Sequence, residues 1–186
     1  MTQFLYFGNE KESFKKLIKF IKNPVKFYES SEEGEKELLD IMTLIVRLNL
    51  IINSAFQIKN PYLLILILFF FLFARFIAAI GLWVSAYILN FLVKILSKKD
   101  DFLKAERIIA FACVVRLIPK LPILTLLSDI LLIILVSVGI SKQYELSLNK
   151  GFLIAIIPWI IVYSILTIVF LHFGINFTKY KFFNYF

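Results

Sequence analysis

One apolar segment dominates the pattern of hydrophobic and polar positions along this chain. Residues 62–92 read YLLILILFFFLFARFIAAIGLWVSAYILNFL, with Arg75 as the single charged residue. About 18 to 20 apolar residues are enough for a helix to cross the hydrocarbon core of a bilayer, which is roughly 30 Å thick. This segment exceeds that length. The chain is therefore predicted to be an integral membrane protein.

Five apolar blocks predict five transmembrane helices. We expect residues 62–97 to form one long, tilted helix, with two shorter spans divided at Gly81 as the alternative. The turn between the third and fourth blocks contains Pro119 and Pro122, which end helices. Pro158 lies inside the fifth block and should kink it, so that a neighbour must satisfy the freed carbonyl. The predicted spans are residues 38–58, 62–97, 102–118, 123–140 and 151–173.

The segment before the first block has an amphipathic pattern. Apolar residues recur there at helical spacing, with lysines between them, which predicts a helix in the headgroup layer of the inner leaflet. Anionic lipids attract basic side chains at that surface. Asn23-Pro24 should end this helix, and the acidic residues 29–37 then form a solvated connector or, alternatively, a docking surface for a basic partner. The apolar positions are Phe14, Leu17, Ile18 and Ile21, and the lysines predicted to contact the membrane are Lys15, Lys16, Lys19 and Lys22.

The distribution of lysine and arginine orients the predicted helices. Basic residues concentrate before the first span, between the second and third spans, and between the fourth and fifth. These segments lie on one side of a five-span protein, and the positive-inside rule places them in the cytoplasm. The N-terminus is therefore expected inside and the C-terminus outside. The predicted regions are a cytoplasmic helix and connector (1–37), a five-span domain (38–173) and an aromatic interfacial tail (174–186).

Composition supports the same fold class. The chain is 60% hydrophobic, with a mean hydropathy of +0.85. We predict an all-α integral membrane protein, a five-transmembrane-helix bundle preceded by an N-terminal amphipathic interfacial helix. The net charge of +8 comes from lysines that flank the spans, so it does not indicate nucleic-acid binding. Cys113 is the single cysteine and His172 the single histidine, so neither a disulfide nor a metal site is expected.

Several short motifs follow one another through the predicted spans. They are NPVKFY at residues 23–28, FLKA at 102–105, PKLPIL at 119–124, GIS at 139–141 and LSLNKG at 146–151, which leads into Ile157-Pro158. In this order they resemble the Yip domain family, named for proteins that interact with Ypt/Rab GTPases, and its prokaryotic branch in particular. The resemblance implies five transmembrane helices, a cytoplasmic N-terminus and a role as an adaptor or organiser of membrane composition or trafficking.

Two departures from the family pattern bear on the expected partners. Tyr144-Glu145 stands where many relatives have a His-Gly pair. The segment with aspartate, tyrosine and glycine that precedes the first span in eukaryotic members is missing. These differences argue against a direct GTPase partner. Membrane lipids, including anionic ones, and a second copy or another membrane protein are the expected partners.

Ionisable residues inside the predicted spans are the main candidates for a site. A charge at the bilayer centre costs at least about 3 kcal/mol, so each one should have a partner or water. Arg47 and Arg75 are expected at similar depth near the middle of the bilayer. Arg116 and Asp129 flank the proline turn, and a salt bridge between them would fix one helix against the other.

The two central arginines allow a structural and a functional interpretation. In the first, Arg47 and Arg75 hydrogen-bond to carbonyls freed at Pro158, or to Asn49 and Asn53. In the second, an anion or lipid phosphate compensates the excess of three arginines over one aspartate, since guanidinium groups suit phosphate. The second interpretation makes this zone an anion or lipid-headgroup site.

Catalytic patterns are not evident in the sequence. We find no nucleophile–base set, glycine-rich phosphate loop or paired carboxylates, so neither an enzyme nor a cofactor is expected. The leading hypothesis is a non-enzymatic adaptor or organiser, acting in an oligomer. The alternative is a small permease or lipid-handling protein. A permease should have a polar, water-accessible cavity at Arg47 and Arg75, whereas an adaptor should have a dry core and an exposed cytoplasmic contact face.

Overall fold

The computed structural model describes residues 10–30, 32–55, 61–119 and 122–173, and all regular structure in these ranges is helical. The prediction of an all-α protein is therefore confirmed. The predicted tail (174–186), the end of the first predicted span (56–58) and the middle of the proline turn (120–121) lie outside the described residues. The helices are α1 (Glu10–Lys22), α2 (Pro24–Ser30), α3 (Glu35–Ala55), α4 (Pro61–Leu72), α5 (Ala74–Ser97), α6 (Phe102–Ala112), a 3-10 helix (Cys113–Leu117), α7 (Pro122–Gln143) and α8 (Leu148–Phe173).

Two helices form the interior of the bundle. α6 buries most of its side chains, and Ala105, Ile108 and Phe111 are completely buried. α3 packs against α1, α5 and α6. Most of the large apolar side chains that stay exposed belong to α4, α5, α7 and α8. The inner layer therefore carries the polar sequence, and the outer layer presents apolar residues.

Two of the described helices, Ala74–Ser97 and Ile123–Gln143, are long and apolar enough to cross a bilayer. Among the other predicted spans, α3 carries several charged and amide side chains. α6 and the 3-10 helix together extend roughly 26 Å and are largely covered by protein. The number of crossings therefore stays a prediction.

The prediction that residues 62–97 form one helix is wrong, because the structure has two helices there, α4 and α5. The predicted span is interrupted at Phe73 (φ −89°, ψ 6°), so neither one helix over 62–97 nor a division at Gly81 is observed. The break contains no glycine or proline. It lies directly before Ala74, which is fully buried, and Arg75, which pairs with Asp40 of α3. These contacts hold the start of α5 on α3.

The N-terminal segment contains a helix that was not predicted. Asn23-Pro24 ends α1, as expected, and also starts α2. The Asn23 Oδ1 atom accepts a hydrogen bond from the Lys26 N–H at 3.0 Å, and Pro24 occupies the first helical position. Asparagine at the N-cap followed by proline is a recognised start signal, and it was the available clue.

Aromatic rings join this segment to the bundle. The Phe20 ring lies 5.3 Å from both Tyr28 and Phe111, and Phe27 lies 4.4 Å from Phe111. Leu17 was predicted to face the membrane with its neighbours, but only 2% of it is exposed because it packs inside the protein. The amphipathic helix is therefore docked on the bundle through one of its faces.

Two glycines permit close approach between helices. A Cβ atom on Gly139 would lie 2.9 Å from Ile108 and 3.0 Å from Tyr28, and one on Gly151 would lie 2.6 Å from the Ser137 carbonyl oxygen. α7 passes through Gly139 and ends at Gln143, beyond the predicted end at residue 140. These motif residues therefore serve packing, and Gly139 does not end its helix.

The three prolines singled out in the sequence fall at distinct places. Pro119 follows Ile118, which is extended (φ −66°, ψ 128°), as is usual before proline. Pro122 is the first residue of α7, where its missing N–H costs little. Pro158 lies inside α8, which continues through it.

Candidate functional site

Each of the two central arginines lies against a carboxylate. The Arg75 Nη1 atom is 2.6 Å from Asp40 Oδ1, with 12% and 11% of the two side chains exposed. The Arg47 Nη1 atom is 2.6 Å from Glu10 Oε1, and its guanidinium lies 5.2 Å from the centre of the Phe71 ring. The space that Glu10, Asp40, Arg47 and Arg75 enclose is about 10 Å³, which is no more than one water needs.

These carboxylates change the charge count made from the sequence. The excess of arginine disappears because Glu10 and Asp40 neutralise Arg47 and Arg75. Glu10 lies in the predicted N-terminal region (1–37) and Asp40 near the start of the first predicted span (38–58), and the charge count included neither. The asparagines serve the 3-10 helix: Asn49 donates to the carbonyl of Arg116 at 2.7 Å, and Asn53 donates to Asn49. An excess of positive charge therefore no longer supports an anion site at Arg47 and Arg75, and that site stays a prediction.

The third ion pair lies across the proline turn. The Arg116 Nη1 atom is 3.0 Å from Asp129 Oδ1, and 38% of the arginine side chain is exposed. Its guanidinium also lies 5.9 Å from the centre of the Trp159 ring. An open groove of about 680 Å³ runs beside this pair between α7 and α8, and its lining is mostly apolar, with Ile130 and Ile133 on α7 and Ile156 and Ile160 on α8.

A further buried arginine, Arg107, was not among the site residues predicted from the sequence. Arg107 is 7% exposed and donates to the Gln143 side chain at 2.9 Å and to the Glu33 carbonyl at 3.0 Å. Its Nε atom is 3.6 Å from the Glu33 carboxylate. Gln143 in turn donates to the Tyr28 carbonyl. Arg107 was counted as a flanking cytoplasmic charge, although its place inside the predicted third span was a signal of burial.

This network continues into the loops at the same end of the bundle. The Tyr144 hydroxyl donates to the Asp101 carbonyl at 2.6 Å, and Lys99 donates to the Tyr144 carbonyl. Burial raises the pKa of the Tyr144 hydroxyl, which keeps it protonated as a donor. The loops enclose a polar cavity of about 310 Å³. It is lined by Lys99, Asp100, Asp101, Lys104, Gln143, Tyr144 and Glu145, a set we call the polar end.

Asp100, one of the three acidic residues of the polar end, is held in its charged form. Asp100 accepts hydrogen bonds from Lys94 at 2.6 Å and Asn90 at 2.7 Å, and these bonds hold the pKa of its carboxyl below the usual value. In the part of the chain that the structure describes, no group of three or more His, Cys, Asp or Glu side chains could hold a metal ion.

The lysines predicted to contact the membrane divide into two groups. Lys16 lies 2.8 Å from Glu37 and 3.5 Å from Glu33, so it joins α1 to the acidic connector and the start of α3. Lys15, Lys19 and Lys22 are exposed. Membrane contact by these three stays a prediction.

The family model described as the Yip1 domain matches residues 18–169, from within α1 to within α8. The chain belongs to the Yip1 domain family. The resemblance seen in the motifs is thereby confirmed, and with the apolar helices it identifies a Yip1-family membrane protein. Comparison with curated proteins and with solved structures gave no significant match for this chain.

The departure from the Yip family at Tyr144-Glu145 has a structural counterpart. Glu145 takes a left-handed backbone (φ 52°), and the N–H of Leu146 donates to the Ser141 carbonyl at 3.0 Å. This is the usual helix end at which glycine is favoured, because glycine has no Cβ to strain. The glycine of many Yip relatives suits this position, and the present chain keeps the turn with a glutamate.

Proposed function

We propose that this Yip1-family membrane protein is a non-enzymatic, five-span adaptor or organiser of membrane composition or trafficking. In this proposal the N-terminus lies in the cytoplasm, the C-terminus outside, and the polar end is the cytoplasmic contact face. The observation that carries it is the contrast between a closed interior at Arg47 and Arg75 and an open, polar surface at one end of the bundle.

The closed interior argues against transport through the bundle. A permeation path needs polar groups that face a water-filled space. Arg47 and Arg75 instead face carboxylates across about 10 Å³. Opening a path there would separate the largely buried Arg75–Asp40 pair, which costs several kcal/mol unless a ligand replaces the lost partner.

The polar end supports a contact role because Asp100 and Glu145 are exposed there and hydrogen bonds order the loops that carry them. Tyr144 joins the α7–α8 loop to the α5–α6 loop through the Asp101 carbonyl, and its hydroxyl also lies 3.3 Å from the Asn90 side chain of α5. Lys98 and Glu145, one in each loop, hold left-handed backbones (φ 59° and 52°). Such conformations persist where the surrounding contacts fix them, so the surface is prepared for a partner in advance.

A lipid-handling role is the second candidate. The groove between α7 and α8 favours it, because an open apolar groove of about 680 Å³ beside Arg116 and Asp129 would suit an acyl chain. This candidate moves the lipid site from the Arg47 and Arg75 zone to the outer end of the bundle.

Flux measurements on reconstituted protein separate the two candidates. Purified protein in vesicles would be assayed for anion flux and for exchange of a fluorescent phospholipid between leaflets. The adaptor proposal expects the rates of protein-free vesicles. Flux that Arg75→Gln abolishes would establish a permease, and lipid exchange that Asp129→Asn abolishes would establish lipid handling.

The contact face can be tested by photo-crosslinking in intact cells. A crosslinker at Lys98 or Glu145 should give a discrete adduct with one membrane protein or with a second copy. A crosslinker at Ile123, which is 83% exposed at the opposite end of α7, is the matched control and should not. Replacing Lys99 by glutamate should abolish the polar-end adduct. Equal adducts from both ends would contradict the proposal.

A further inference from the structure

Helix α1 presents two apolar surfaces in different directions. Ser13, Leu17 and Phe20 are buried against the bundle. Phe14, Ile18 and Ile21 remain exposed by 50%, 39% and 61%. A soluble helix that docks on its protein usually leaves polar residues on the outer side, so this second stripe needs an explanation.

The order of these surfaces around the helix is informative. A helix turns by about 100° per residue, so the buried residues share one arc and the exposed apolar stripe occupies an adjoining arc of roughly 60°. The next arc, roughly 80° wide, holds lysines. A helix with protein, apolar and basic arcs in that order fits the junction of a bundle, a hydrocarbon layer and a charged interface. The lysines of this arc are Lys11, Lys15, Lys19 and Lys22.

Contacts at both ends of α1 hold it in this orientation. Glu10 pairs with Arg47, and Lys16 pairs with Glu37. Phe20 is fixed by the rings of Tyr28 and Phe111. The helix therefore cannot rotate its exposed stripe into the protein without breaking these contacts.

We propose that α1 is a bundle-docked lipid-binding helix whose occupant is the anionic inner-leaflet surface. The stripe Phe14, Ile18 and Ile21 enters the acyl–headgroup boundary, and the lysine arc binds lipid phosphates. Charge complementarity selects this occupant, since the lysines lie along the edge of the stripe that faces away from the protein. Lys16 has no part in it because the acidic connector holds it. The inner-leaflet placement rests on the proposed cytoplasmic N-terminus, whereas the lipid contact of the stripe does not depend on the contact role of the polar end.

Site-directed labelling tests the position of the stripe. Full-length protein with Cys113→Ala would carry one new cysteine at position 14, 18 or 21, labelled with an environment-sensitive fluorophore. In phosphatidylcholine–phosphatidylglycerol vesicles, nitroxide lipids should quench these labels and iodide should not. A label at the matched exposed position Glu12, which lies outside both the stripe and the lysine arc, should show the reverse. Iodide quenching of all four labels would overturn the proposal, and protection of the stripe from both quenchers would point to a protein partner and overturn it as well.

Lipid selectivity tests the lysine arc. The variant K11Q/K15Q/K19Q/K22Q should lose the preference for spin-labelled phosphatidylglycerol over phosphatidylcholine by at least about tenfold, because each basic residue near an anionic surface adds to the attraction. The matched variant with four Lys→Arg changes keeps the charge and should keep the preference. The wild-type preference should also weaken in high salt. An unchanged preference in the glutamine variant would overturn the role of the lysines. None of these changes touches Leu17 or Phe20, which dock the helix.

Discussion

Two largely buried arginines, Arg75 and Arg107, are held in different ways. Arg75 meets one carboxylate, that of Asp40, at 2.6 Å. Arg107 is bound by a side-chain amide, a backbone carbonyl and a more distant carboxylate. The first arrangement neutralises a charge, and the second ties together the acidic connector, α6 and α7.

The difference shows two ways in which buried polar groups stabilise this bundle. An ion pair such as Arg75–Asp40 joins two helices and depends on a single partner. A network such as that of Arg107 distributes hydrogen bonds over several segments, so its loss affects all of them. The network lies at the polar end, which is the part of the molecule that we propose as the contact face.

Replacing Arg107 should have the largest effect. Arg107→Ala removes the hydrogen bonds that this arginine donates to the Gln143 side chain and to the Glu33 carbonyl, and we expect a loss of about 3–5 kcal/mol in the free energy of unfolding. Unfolding by SDS in mixed micelles would measure it. Lys104→Ala, on the same helix and half-exposed, is the control and should cost less than about 1 kcal/mol. Equal losses would mean that the network is not special.

The Arg75–Asp40 pair should come next. Asp40→Asn leaves the arginine without its counter-charge and should cost about 2–3 kcal/mol. D40N/R75Q removes both charges of the pair and should recover part of this loss, and the double-mutant cycle should give a coupling of about 1–3 kcal/mol. The same unfolding assay applies. A coupling near zero would show that the two groups do not depend on each other.

The Glu10–Arg47 pair should respond more weakly. Glu10 is 47% exposed, so solvent screens it, and Glu10→Gln should cost no more than about 1 kcal/mol overall. The local effect should be clearer, because α1 loses one of its end contacts. Amide hydrogen exchange should increase in α1 while exchange in α6 stays unchanged. Exchange that rises equally in both helices would contradict the local role.

The smallest effect should be a gain. Glu145→Gly removes the strain of a left-handed glutamate and should raise the free energy of unfolding by roughly 0.5–1 kcal/mol. Glu145→Ala keeps a Cβ and is the control that should not stabilise. If Glu145→Gly lowers the free energy of unfolding, then the contacts of the Glu145 side chain stabilise the protein by more than the left-handed backbone strains it.

Local features determined the class of this protein. Long apolar runs and the helical spacing of α1 are properties of neighbouring residues, so the all-α class and the membrane assignment followed from them. The Yip motifs are likewise short, and the family match over residues 18–169 agrees with them. Asn23-Pro24 carries a further local signal, because it ends α1 and also starts α2, whereas the sequence analysis predicts only the end of a helix there.

The tertiary structure alone decided which groups meet. Glu10 and Arg47 are 37 positions apart, and Asp40 and Arg75 are 35 apart, so no local pattern announces either pair. The break at Phe73 and the burial of Leu17 likewise depend on which helix lies alongside. Hydrophobic periodicity says which side of a helix avoids water, but lipid and protein satisfy that preference equally well. The packing of the helices determines which apolar faces contact protein and which stay exposed, and the same packing brings the buried charges to their partners.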